Sequence, residues 1–98
     1  NPASMAATLA QLGEEQARRR IVVLGAMKEL GMLSHSLHAG LADPVRSAGV
    51  DLAILVGQEM APLAEALAGT VSVEQVNGAA DAIEHIAGRL KDGDVVLV

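Results

Sequence analysis

The sequence contains no phenylalanine, tyrosine or tryptophan, and it contains no cysteine. The lack of aromatic residues removes the stacking surfaces on which single-stranded nucleic acids bind. It also leaves Leu, Val, Ile, Met and Ala to fill the core. The lack of thiols excludes disulfides, cysteine nucleophiles and cysteine-type zinc sites. Because cysteine-free chains fit a reducing compartment, we expect a cytoplasmic location.

Basic charge and long apolar runs are scarce as well. Seven Lys and Arg stand against twelve Asp and Glu, which gives the 98 residues a formal net charge of −5. Nucleic-acid binding needs clustered cations, so this balance argues against such a partner. No apolar run approaches the roughly 20 residues that span a bilayer, and no signal peptide is visible. We therefore expect neither a nucleic-acid partner nor a membrane span.

Strand-like and helix-like patterns alternate along the chain. Short apolar runs bounded by breakers predict strands at 21–24, 51–56, 71–76 and 94–98. Apolar residues at helical spacing predict helices at 1–13, 34–48, 58–67 and 79–90. Strands that alternate with such helices form a parallel sheet with right-handed crossovers. The sequence therefore predicts an α/β fold, a three-layer Rossmann-like domain with a mostly parallel sheet.

Three local features carry further predictions. Asp43–Pro44 lies inside the second helix, where proline removes a backbone donor, so we expect a kink or a break there. Arg18–Arg20 is typical of a solvated surface turn. The inward face of the last helix is predicted to carry four apolar side chains, Ile83, Ile86, Ala87 and Leu90.

The length allows one small domain. The chain opens directly into a helix at Asn1–Pro2 and stops within the last predicted strand at Val98. We therefore expect a single domain over residues 1–98 that has been excised from a longer protein.

Ligand-binding residues are expected in the loops that follow the strands. In an open α/β sheet, ligands collect at the carboxyl ends of the strands. This places Gly25–Gly31, Gly57–Gln58 and Asn77–Gly78 at one edge. The chain has neither a G-x-G-x-x-G nor a G-x-x-x-x-G-K-[ST] motif, so neither fingerprint for nucleotide binding is present. Isolated glycines in such loops are more often simple turn residues.

Few side chains in the sequence suggest chemistry on their own. His35 and His38 are three residues apart, but further ligands for a metal are not apparent, and the spacing favours His38 as a half-buried packing residue. His85 is predicted at the surface. Glu29 is typical of a solvated loop residue, or it contacts a ligand amine or a metal-bound water. These residues are compatible with both a binding module and an enzyme domain.

A resemblance narrows this choice. Residues 22–31 read Val-Val-Leu-Gly-Ala-Met-Lys-Glu-Leu-Gly, and Ser34 and His38 follow. This stretch resembles the L-G-D-M-x-E-L-G loop, with a later Ser and His, in the C-terminal domain of the MurF family of Mur ligases. Asn1–Met5 is similar to the end of that family's Y-N-A-N-P-x-S-M segment. Two further segments fit the family along the chain, Leu55–Gly57 and Gly93–Val98.

Two positions depart from the family pattern. Ala26 stands where the family usually has Asp, which weakens any role for a carboxylate there. Pro44 has no counterpart in the family pattern, so its helix should be kinked.

The resemblance implies an ATP-dependent ligase that adds D-alanyl-D-alanine to UDP-MurNAc-tripeptide through an acyl phosphate, in peptidoglycan precursor synthesis. ATP and Mg²⁺ would be held mainly by a central domain, and the UDP-sugar by an N-terminal domain, both outside this chain. The chain would close the cleft, help to bind ATP and receive the dipeptide. By itself it should be inactive, and we expect a monomer.

The resemblance also implies site residues. The loop and helix start that face the cleft would carry six of them, Met27, Glu29, Leu30, Gly31, Ser34 and His38. Asn1 would lie close to the nucleotide, at the hinge between domains. No catalytic residue and no metal ligand is expected within the chain. The alternatives are another Mur ligase, although no diaminopimelate-type arginine motif is present, or a free-standing Rossmann-like binding module.

Overall fold

A computed structural model describes residues 1–98 as one α/β domain with a four-stranded sheet. The strands are β1 (Arg19–Gly25), β2 (Leu52–Val56), β3 (Ser72–Val76) and β4 (Asp94–Leu97). The α-helices are α1 (Pro2–Glu14), α2 (Ser34–Ala39), α3 (Ala42–Ser47), α4 (Ala61–Leu67) and α5 (Ala79–Ile86). Short 3₁₀ turns at Gly31–Leu33 and Gln58–Met60 precede α2 and α4. None of the helices combines the length and apolarity that crossing a membrane requires.

All strand pairs are parallel, and the strands lie in the order β3-β2-β1-β4. Leu24 of β1 is level with Leu55 of β2, and Gly25 is level with Val56. Val56 is in turn level with Val76 of β3. The carboxyl ends of these three strands therefore meet at one edge, as predicted.

Helices cover both faces of the sheet, which confirms the three-layer prediction. On one face, Val22, Leu24, Ala53 and Leu55 join α1, α3 and α4 in a core of 15 buried residues. The other face holds a smaller buried group, in which Ala82 of α5 packs with four strand residues, Ile21, Leu52, Ile54 and Val76. Both faces of β1 and β2 are thus apolar, which explains their uninterrupted apolar sequences.

The second predicted helix is two helices. α2 ends at Ala39, and α3 begins at Ala42, so the break lies at Gly40–Leu41 and not at Pro44 itself. Pro44 occupies the first turn of α3, where its missing N–H would have no partner within the helix. The expected interruption is confirmed, and the chain accommodates the proline by starting a new helix just before it.

The predicted inward face of the last helix is correct only for Ile86, which packs toward the sheet. α5 ends at Ile86, because Ala87 is extended and Gly88 has a φ of +78°, so Ala87 and Leu90 lie beyond the helix. Ile83 is 65% exposed, and Leu90 is 47% exposed. The small side chain of Ala82 faces the sheet instead, with Ile86 half-buried beside it.

The predicted surface turn of arginines is also wrong in part, because Arg19 and Arg20 begin β1. Arg18 and Arg19 form ion pairs of 2.6 Å and 2.8 Å with Asp94, whose side chain is only 2% exposed. Arg20 donates to the carbonyl of Glu15 at 2.6 Å, past the end of α1. These arginines tie the start of β1 to the preceding helix and to β4.

Acid should weaken the fold through two paired carboxyls. Hydrogen bonds from Arg19 lower the pKa of Asp94 from 3.8 to about 2, and hydrogen bonds from Arg89 and His85 lower the pKa of Glu74 from 4.5 to about 2. Between these values the unfolded chain binds more protons than the native one. The free energy of unfolding should therefore fall as the pH drops from about 4.5 to about 2.

Urea unfolding at pH 5, 4, 3 and 2 measures this dependence. Asp94→Asn should be less stable than the wild type at pH 5, and its stability should fall less between pH 4 and pH 2. Parallel pH profiles for the two proteins would show that the Asp94 ion pairs do not carry this stability.

Candidate functional site

A cavity of about 510 Å³ opens at the carboxyl edge, between the loop after β1 and the loop after β2. Its polar lining comes from Ser34 and His35 at the start of α2, and from Gln58, Glu59 and Glu65 around α4. Four small or apolar residues complete it, Gly31, Met32, Ala61 and Pro62. This is the edge at which parallel α/β domains bind ligands.

The six predicted cleft residues divide into three groups. Gly31 and Ser34 line the cavity. Glu29 is exposed and Leu30 half-buried, but neither lines the cavity. The remaining two face inward: Met27 packs against the larger core, and His38 is completely buried.

The imidazole of His38 therefore does not face the cleft. Its Nε2 accepts a hydrogen bond from the backbone N–H of Met27 at 2.9 Å. Its Nδ1 lies 2.8 Å from the carbonyl oxygen of Ser34 and 3.1 Å from the Ser34 hydroxyl. As the spacing indicated, it is a packing histidine, although it is fully buried and not half-buried.

Asn1 begins the helix that leads into the sheet. Its side-chain oxygen accepts from the backbone N–H of Ser4 at 2.8 Å, which caps α1. Arg20, at the start of β1, holds the other end of α1, so α1 runs antiparallel to the strands. Asn1 accordingly lies toward the carboxyl edge, but it does not line the cavity.

The sequence placed Gln58 at this edge, but Glu59 and Glu65 were not predicted as site residues. A signal for them was present, because Gln58 and Glu59 directly follow the β2 turn at Gly57. Glu65 lies six residues after Glu59, nearly two helical turns further along. His35 was considered only as a metal ligand beside His38. The structure separates the two histidines, and it contains no group of three or more acidic or histidine side chains placed to hold a metal ion.

The charge of the cavity is negative. Glu59 and Glu65 form no hydrogen bond or ion pair through their carboxylates, and no Lys or Arg lines the cavity. Carboxylates repel phosphate groups and attract ammonium groups. The lining is therefore unfavourable for phosphate groups and favourable for a cationic group.

The loop that borders the cavity holds a strained residue. Glu29 has a φ of +63° and is the one non-glycine residue of the chain with a positive φ. Gly31 follows with a φ of +55°. A side chain in this conformation costs on the order of 1 kcal/mol, because Cβ crowds the following carbonyl. The loop thus keeps a glutamate where glycine would be more stable.

Glu29→Gly should raise the free energy of unfolding by up to about 1 kcal/mol by relieving this crowding. Lys28→Gly is the matched control, since Lys28 has a negative φ and a glycine there only adds disorder to the unfolded chain. Urea unfolding of the isolated chain measures the free energy of unfolding of both variants. A Glu29→Gly protein less stable than the wild type would contradict the expected strain.

A four-stranded, all-parallel sheet with helices on both faces defines an α/β domain of the Rossmann-like class. Residues 1–98 match the family model described as Mur ligase, glutamate ligase domain. The chain therefore belongs to the Mur ligase family. A search of curated proteins gave no match. Membership of this family relates the chain to the ATP-dependent ligases of peptidoglycan synthesis.

Proposed function

We propose that the chain is the C-terminal domain of a cytoplasmic Mur ligase that joins D-alanyl-D-alanine to UDP-MurNAc-tripeptide, as in the MurF family. The observation that carries this proposal is the position of the Leu24–Gly31 loop. This loop has the family's pattern, it ends the central strand β1 at the carboxyl edge, and its Gly31 lines the cavity.

In this proposal the cavity receives the amino end of the dipeptide. Two unpaired carboxylates, Glu59 and Glu65, face the same space as His35 and the Ser34 hydroxyl. Such a lining attracts the ammonium form of the dipeptide from solution and orients its amine toward the partner substrate. The ammonium group loses a proton, and the neutral amine attacks the acyl phosphate formed on the terminal carboxyl of the tripeptide. Inorganic phosphate leaves as the amide bond forms.

ATP and Mg²⁺ belong elsewhere in this proposal. The cavity has no cationic side chain for phosphates, and the chain has no P-loop. The nucleotide and the cation are therefore held mainly by other domains of the full-length protein, and this domain contributes the wall that closes over them. Closure excludes water, which would otherwise compete with the amine. Asn1 lies at the hinge side of that wall.

The proposal is tested by phosphate release with ATP, Mg²⁺, UDP-MurNAc-tripeptide and D-alanyl-D-alanine. The full-length protein should release phosphate only when the dipeptide is present, and the 98-residue chain alone should release none. Turnover by the isolated chain would overturn the assignment of the chain as one domain of a larger enzyme. Turnover by the full-length protein with a different amine would identify another Mur ligase.

A further inference from the structure

His38 is the one buried residue of the chain that is not apolar. Its two ring nitrogens contact two separate segments, the loop after β1 through Met27 and the start of α2 through Ser34. No buried side-chain nitrogen or oxygen lacks a partner. An imidazole placed in an apolar core is costly unless both of its nitrogens are satisfied, and here both are.

The two contacts of His38 select one protonation state. The Met27 N–H can only donate, so Nε2 must accept and carries no proton. The Ser34 carbonyl can only accept, so Nδ1 must carry the proton. Both ends therefore require the same neutral tautomer, with the proton on Nδ1. In the other tautomer, a protonated Nε2 would face the Met27 N–H, and an unprotonated Nδ1 would face the Ser34 carbonyl oxygen.

The hydrogen bond to Met27 anchors the backbone of the loop, whose Ala26 and Met27 side chains also pack against the larger core. Among residues 26–30, the hydrogen bond from the Met27 N–H to His38 is the one that reaches another element of the fold. The other backbone bond of this stretch is local, from the Leu33 N–H to the Leu30 carbonyl. The strained Glu29 lies two residues beyond Met27, and Gly31, which has a positive φ without strain, reaches the cavity.

We propose that His38 is a positioning residue, whose neutral imidazole holds the Met27 amide and thereby sets the shape of the loop that borders the amine-binding cavity. The kinetic part of this inference rests on the proposed function, whereas the structural part does not. His38 touches no substrate in this account. It acts through the backbone of Met27 and through Ser34, which lines the cavity.

Two substitutions of similar size separate the two contacts. His38→Gln places an amide oxygen near the position of Nε2, and can therefore still accept from the Met27 N–H. His38→Asn places an N–H near the position of Nδ1, and keeps the bond to Ser34 without reaching Met27. If the hydrogen bond from the Met27 N–H fixes the shape of the loop, His38→Gln should keep that shape and His38→Asn should lose it.

The first test uses the 98-residue chain and no substrate. The ¹⁵N shifts of the wild-type imidazole should show the proton on Nδ1, and the Met27 amide should exchange at least about tenfold more slowly than the unbonded Lys28 amide. Protection of Met27 should survive in His38→Gln and disappear in His38→Asn, with core amides such as Ile54 unchanged. A proton on Nε2, or an unprotected wild-type Met27 amide, would overturn the inference without any variant having to fold.

The second test uses the full-length enzyme. His38→Asn should raise the KM for the amine substrate about tenfold while the KM for the UDP-sugar substrate stays unchanged. His38→Gln should have the wild-type KM for the amine. Equal KM values for the amine in all three proteins would contradict the positioning role. If the enzyme uses an amine other than D-alanyl-D-alanine, the proposed function fails, and the same comparison is made with that amine.

Discussion

Leu55→Ala is expected to lower the free energy of unfolding by about 2–5 kcal/mol, the usual cost of emptying a buried leucine site. Leu55 lies in β2, is fully buried, and packs in the larger core between the sheet and the helices. Without aromatic residues, the core around it consists of aliphatic and methionine side chains, and its four alanines are too short to fill the space that the leucine leaves. A domain of this size is stable by only about 5–15 kcal/mol, so this loss is large.

Leu90→Ala is the matched control, because it makes the same change at a side chain that is 47% exposed beyond the end of α5. It should cost less than about 1 kcal/mol. Urea unfolding followed by circular dichroism measures both variants. Similar losses for Leu55→Ala and Leu90→Ala would contradict the placement of the core on the α1, α3 and α4 side of the sheet.

Replacing both cavity carboxylates is expected to have the largest effect on activity. Glu59→Gln and Glu65→Gln each remove a negative charge that faces the amine, and a hydrogen bond to a charged group contributes roughly 1.5–3 kcal/mol. Since about 1.4 kcal/mol corresponds to a factor of ten, each change should raise the KM for the dipeptide about tenfold. The double variant should raise it about a hundredfold.

This effect should be specific to the amine. In the full-length enzyme the KM for ATP should stay unchanged in the double variant, because the cavity does not hold the phosphates. Glu84→Gln is the control: Glu84 is an exposed glutamate of α5, outside the cavity. A double variant with the wild-type KM for the dipeptide would show that the amine binds elsewhere.

Periodicity and turn residues were sufficient to predict the architecture. The apolar runs of β1 and β2 are buried on both faces, so their sequences point directly to central parallel strands. The inward residues of the third predicted helix, 58–67, are confirmed, since Met60, Leu63, Ala64 and Leu67 are all buried. Glycine and proline marked most of the element ends.

The errors arose where tertiary packing overrides local pattern. Ile83 and Leu90 are apolar and have the spacing of a buried stripe. In the structure Ala82 is the α5 residue that packs closely on the sheet, so Ile83 is exposed, and Leu90 lies beyond the end of the helix. Arg18–Arg20 has the composition of a solvated turn, and its ion partner Asp94 lies some 75 residues away, beyond the reach of any local pattern. Long-range pairing of this kind is visible only in the folded chain.

The residues of the candidate site were likewise only partly predictable from the sequence. The resemblance named a loop that borders the cavity, and Gly31 of that loop and Ser34 at the start of α2 line the cavity. The resemblance placed His38 in the cleft, whereas the helical spacing indicated a packing histidine, and His38 is fully buried. Glu59 and Glu65 escaped notice because only Gly57–Gln58 of that segment was assigned to the edge, whereas Glu59 lies in the following 3₁₀ turn and Glu65 lies in α4.

The most direct test of the central claim is the choice of amine by the full-length enzyme. ADP release is measured with ATP, Mg²⁺ and UDP-MurNAc-tripeptide, with D-alanyl-D-alanine in one series and single amino acids such as diaminopimelate in the other. The account predicts turnover with the dipeptide and none with the single amino acids. Turnover with a single amino acid, and none with D-alanyl-D-alanine, would contradict it.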